Sequence, residues 1–158
     1  RVSWKPVPGA RYYTVFWGQE KGEYKGLINV GESSIVLTGF NKGELYVIAV
    51  TSWNKVGESY YSEEQIAVYD DDPANANFYL TKANELMNKG ALKEANAYFS
   101  LAIVLAPNNP VVYKDRAAFF EKTSRPDLAR KDRETAEKLY KDAKITLGSA
   151  EQAGLTSH

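Results

Sequence analysis

The chain has 158 residues, with 20 lysines and arginines against 20 aspartates and glutamates, and it contains no cysteine. A formal net charge of zero, with both signs interleaved, supplies no basic stripe to neutralise a run of phosphates, so nucleic acid is not expected as a partner. Without cysteine there is no disulfide framework, thiolate nucleophile or thiolate metal site, and the longest apolar run, Leu45 to Val50, is far too short to span a bilayer.

All three tryptophans and most tyrosines precede Asp70, whereas the part after Pro73 is rich in Ala, Lys, Glu, Asn and Leu, the usual helix-building set. That shift divides the chain into two domains with an incomplete β segment over 1–70, a helical segment over 71–147 and a flexible tail over 148–158. The chain begins at Arg1 with neither an initiator Met nor a signal-peptide pattern, which suggests a fragment or a processed form.

From the front, Val2 and Trp4 alternate, as do Tyr13, Val15 and Trp17, and then Tyr46, Ile48 and Val50. This period of two marks strands with one buried face. Turn clusters at Pro6 to Gly9, Gly18 to Gly26, Gly39 to Gly43 and Asn54 to Gly57 separate them, the spacing of an all-β sandwich. Tyr12 and Phe16 fall on the opposite parity and should face outward, either as a sticky surface or as cross-strand aromatic pairs. Gly18, Gly22 and Gly26 lack the Gly-Lys-Ser/Thr of a phosphate loop and read as turns.

The order Trp4-Lys-Pro6, Gly9 to Val15, Leu37-Thr-Gly39-Phe40, Gly43 to Tyr46 and Val56 to Ser59 resembles a fibronectin type III domain over nearly all of Arg1 to Tyr69. The resemblance implies that Trp4 fills the core between two sheets and that Leu37 and Phe40 bury either side of Gly39. It also implies that Tyr46 is a corner tyrosine whose hydroxyl ties the preceding connection to its strand. The family's first strand has no counterpart here. The resemblance therefore leaves an open edge at Val2 and Trp4, to be completed by upstream residues, a neighbouring subunit or a partner strand.

At the junction Asp70-Asp-Asp72-Pro73 lacks the alternating ligands and turn glycine of a calcium loop, and reads as a helix start capped by Asp72 with Pro73 at the first helical position. The first helix carries Ala76, Tyr79, Ala83 and Leu86 on one stripe up to the stop at Lys89-Gly90, and the second carries Leu92, Ala95, Phe99 and Ala102. About 34 residues on, Tyr113, Ala117, Phe120, Ala129 and Ala136 take the offsets of Tyr79, Ala83, Leu86, Ala95 and Ala102. Gly90, Ala95, Phe99, Ala102 and Pro107 stand where a tetratricopeptide repeat needs its turn, close contacts, knob and stop, and the segment resembles two such repeats. Ser124 in place of the glycine, Arg133 in place of Phe99, and Lys82 and Arg116 in place of leucine depart from that family's pattern.

The charges from Arg125 to Arg133 alternate in sign and read as a solvated face of a long end-capping helix. His158, the only histidine, is terminal and lacks a neighbouring acid or nucleophile pattern.

The fold class expected is thus multidomain, an all-β sandwich of fibronectin type III type followed by all-α tetratricopeptide hairpins. No catalytic, cofactor or metal site is expected. A peptide partner would use the first helix of each repeat, with Asn77, Leu80, Asn84 and Asn88 on one stripe and Val111, Lys114 and Ala118 on the next, because amides both donate to and accept from an extended backbone. The two resemblances imply a non-catalytic protein-protein interaction or assembly scaffold of a bacterial periplasmic or cell-surface complex, with a protein partner or neighbouring subunit. The alternative is an accessory spacer or binding module of a larger secreted enzyme.

Overall fold

The computed structural model describes the backbone over residues 1–154 and the side chains as far as 144. It divides into two compact units, Arg1–Asp71 and Asp72–His158. Among the described residues the first unit holds six strands in two sheets and the second four α-helices, so the chain as a whole is a mixed α and β protein.

In the first unit, β1 (Val2–Ser3) pairs antiparallel with β4 (Ser34–Ile35) to give a layer of two short strands, with Val2 opposite Ile35. The second sheet has four strands in the order β3-β2-β5-β6, formed by β2 (Tyr12–Gly18), β3 (Gly26–Val30), β5 (Leu45–Trp53) and β6 (Gln65–Val68). Its register sets Val15 opposite Val50, Trp17 opposite Ile48 and Tyr46 opposite Ala67, so the apolar alternation read from the sequence lands on one face.

That inner face is filled from the other layer by Trp4, whose ring meets Tyr13 edge-on at 5.3 Å. Phe40 stacks on Tyr46 at 4.2 Å, and the Tyr46 hydroxyl oxygen accepts the Asn41 N–H at 3.0 Å, tying the incoming connection to β5. On the outer face Tyr12 stacks across strands on Trp53 at 5.5 Å, while Phe16 meets Tyr24 at 5.5 Å and Tyr61 at 5.0 Å, two tyrosines outside the strands. A Cβ on Gly18 would collide with the Glu23 carbonyl and one on Gly26 with the Trp17 indole, which gives these two glycines a packing reason.

The second unit opens with a 3-10 turn, Pro73–Asn75, capped by Asp72, whose carboxylate accepts the Ala74 N–H at 3.0 Å. Helices α1 (Ala76–Asn88) and α2 (Leu92–Leu105) form one hairpin, and α3 (Pro110–Lys122) and α4 (Pro126–Gly154) a second. Asn109 caps α3 by accepting the Val111 N–H at 3.0 Å. Ala83, Ala95 and Ala102, with Ala117, Ala129 and Ala136, are all buried, which lets the paired helices approach closely. Within the segment 148–158 the backbone is described as part of helix α4 as far as Gly154. The remainder of that tail, with His158, lies outside the described residues.

Candidate functional site

Two strands cannot cover four. The layer made by β1 and β4 leaves part of the inner face of β5 and β6 open, and a groove of about 760 Å³ runs there beside β1. Ile48, Val50, Gln65 and Ala67 form its floor, Trp4 and Tyr13 its closed wall, and Ser59, Tyr60, Ser62 and Glu63 its far lip. A second opening of about 550 Å³ prolongs it toward Phe40 and Tyr69, and the two share Arg1, Val2, Ile48 and Ala67. The indole N–H of Trp4 is buried at this wall with no hydrogen-bond partner.

The near lip is the free edge of β1. Trp4 donates its backbone N–H to the Ser33 carbonyl at 3.0 Å, so its amide points at β4. Antiparallel pairing alternates, so Val2, two residues away, also turns toward β4, whereas the N–H and C=O of Ser3 between them point to the open side. On the expected edge strand, Val2 and Trp4 thus turn their side chains inward, and the backbone groups facing the open side are those of Ser3 beside Val2.

On the helical unit, Asn77, Asn88, Val111, Lys114 and Ala118 are exposed on α1 and α3. Leu80 is only 8% exposed and belongs to the core, which removes it from the expected peptide-contacting stripe. Asn84 spans the two helices: its amide donates to the Leu80 carbonyl at 3.2 Å and to the Asp115 carboxylate at 2.7 Å. Lys122 likewise donates to the Met87 carbonyl at 3.1 Å. These bonds hold one hairpin to the next, so on this face the structure uses polar groups mainly for assembly of the unit itself.

Other polar clusters have structural explanations. Asp71 is engaged by Lys42 and accepts the Tyr69 hydroxyl at 3.0 Å, and these hydrogen bonds, Lys42's first, hold its carboxyl below the usual range. Burial, and then the Glu64 carboxylate that accepts its hydroxyl at 2.7 Å, push the Tyr24 phenol up to about 12. Among the described residues no group of three or more histidines, cysteines or acids is placed to hold a metal ion, and no helix is long and apolar enough to cross a membrane.

Sequence reasoning found the inward parity of Ile48 and Val50 but not that Val50 stays half-buried beside an open groove while Ile48 is buried. That depends on how few residues β1 and β4 contribute, and strand length is poorly written in a local pattern. Comparison with protein-family models, with curated proteins and with solved structures finds no match.

Proposed function

We propose that the protein is a non-catalytic interaction module whose first unit receives an extended strand from a partner. The observation that carries this is the groove itself, an apolar floor of Ile48, Val50 and Ala67 lying beside a β1 edge whose Ser3 backbone groups are free. Such an edge templates pairing, and a strand laid on it would send alternate side chains onto the floor. The two-stranded layer, the Tyr46 hydroxyl bond and the four-stranded sheet order support reading the unit as a fibronectin type III-like sandwich. Two hairpins 34 residues apart support reading the helices as a tetratricopeptide-like array that scaffolds the assembly. The setting proposed, a bacterial periplasmic or cell-surface complex, rests on those resemblances.

The test is to titrate the isotope-labelled protein with a blocked peptide of alternating valine and threonine, about seven residues long, a common strand length. We expect slowed exchange of the Ser3 amide and shift changes at Ile48, Val50 and Ala67. Ala67→Arg, which places a charged chain on the floor, should abolish the effect with the circular dichroism spectrum unchanged. Shift changes scattered over the molecule, or none, would refute strand acceptance.

A further inference from the structure

Resting on the strand-accepting reading, we propose that the occupant is an acidic strand of a partner protein, with carboxylates on its solvent face and β-branched residues on its groove face. Along β1 and its flanks exposure alternates residue by residue, with Arg1, Ser3 and Lys5 exposed and Val2 and Trp4 turned inward. A strand paired to the free edge therefore brings its own outward side chains opposite Arg1, Ser3 and Lys5, at cross-strand spacing. Both charged residues there are cations. Arg1 donates to the Ser34 hydroxyl at 3.2 Å, a neutral partner that leaves its charge uncompensated on that side, and Lys5 stands at the groove margin. Glu63 is on the opposite lip, across the floor from the paired edge.

Opposite charges facing each other across strands favour pairing, and like charges oppose it. The same arithmetic argues against a second copy of this chain as occupant. Antiparallel pairing of two β1 edges would set Arg1 and Lys5 of one copy against Lys5 and Arg1 of the other, the device by which edge strands avoid their own kind. The floor sets the inward requirement. With Ile48 buried, and Val50 and Ala67 half-buried beside the Trp4 ring, it is an apolar floor that suits β-branched residues such as valine or isoleucine.

The experiment uses three blocked peptides of equal length, with valine at every inward position and glutamate, threonine or lysine at every outward one. Binding is read by fluorescence anisotropy at low salt, alongside sedimentation of the protein. We expect the glutamate peptide to bind roughly tenfold tighter than the threonine peptide, from two favourable cross-strand pairs, and the lysine peptide weakest. Lys5→Glu should narrow or reverse that order without altering the fold, because Lys5 is exposed. Equal binding of all three peptides, insensitive to Lys5→Glu, would overturn the acidic partner and leave strand acceptance standing. Binding of none would overturn both. Concentration-dependent dimerisation that expels the peptide would show a second copy to be the occupant and overturn the proposal.

Discussion

Hairpin α1–α2 and hairpin α3–α4 keep step 34 residues apart, helix start for helix start, yet they solve the same packing problem with different chemistry. Lys82 and Arg116 are cations at equivalent positions, and their partners across the hairpin, Tyr98 and Asp132, are also at equivalent positions. In the first hairpin the Lys82 ammonium lies 4.7 Å from the centroid of the Tyr98 ring. In the second, Arg116 grips Asp132 with two parallel bonds of 2.7 and 2.8 Å. Cation and partner have changed together, ring with lysine and carboxylate with arginine, each the better match for its cation. Each of these cations thus has a partner and is not an isolated buried charge.

A second difference follows from neighbours. Helix α2 packs against both α1 and α3, so Phe99 is fully buried and its ring meets Phe119 at 5.4 Å. The equivalent residue of α4 is Arg133, whose side chain is 51% exposed and pairs with Glu121 at 2.6 Å. Exchanging the two should break the comparison most severely. Phe99→Arg puts a guanidinium in an apolar pocket and removes a large ring, an expected loss of about 3–5 kcal/mol. Arg133→Phe should stay within about 0.5 kcal/mol, as surface changes do. Urea unfolding followed by helical dichroism measures both, and losses of similar size would mean that the two positions are equally enclosed.

The paired cations give the next effect. The Asp132 side chain is 6% exposed and that of Arg116 21%, so Asp132→Ala strands a partly buried guanidinium and should cost about 3 kcal/mol, the low end for breaking a buried pair. Lys82→Ala loses the cation–ring contacts with Tyr98 and Phe78 and should cost about 1 kcal/mol. The double change Arg116→Lys with Asp132→Tyr, which copies the first hairpin into the second, should recover most of the Asp132→Ala loss. Failure to recover would show that the pairing depends on its own hairpin and not on the shared position.

These positions also show what was legible beforehand. The 34-residue period and the small residues Ala83, Ala95 and Ala102 could be read directly, because close helix packing admits few side chains. The inward alternation of Tyr13, Val15 and Trp17 could be read for the same reason of strict geometry. Lys82 and Arg116 stood out only as departures, since a local pattern does not reveal that the partner lies sixteen residues on, across a hairpin. The groove was legible as an open edge but not as a surface. Placing the outward backbone groups of that edge at Ser3, between Val2 and Trp4, required the bonding register of β1 with β4, which no residue type signals.

The smallest effect isolates the backbone. Gly90 and Ser124 occupy the same position at the ends of α1 and α3, with φ of +80° and +58°, and Ser124 is the only described residue other than glycine with positive φ. Both turns close with the same bonds: the Ala91 N–H reaches the Leu86 carbonyl at 3.0 Å, and the Arg125 N–H reaches the Phe120 carbonyl at 2.8 Å. That is the left-handed helix stop glycine usually provides, and a Cβ tolerates it at a penalty of about 1 kcal/mol. Nothing lies within 4 Å of a Cβ built on Gly90, so Gly90→Ser would meet open space and feel only the backbone conformation. We expect Gly90→Ser to destabilise by about 1 kcal/mol. Ser124→Gly should stabilise by about 0.5 kcal/mol, less than the mirror value because glycine also loosens the unfolded chain. The check is the urea midpoint of each variant at unchanged slope. If Ser124→Gly lowered the midpoint, its hydroxyl would have to contribute more to the turn than its Cβ takes away.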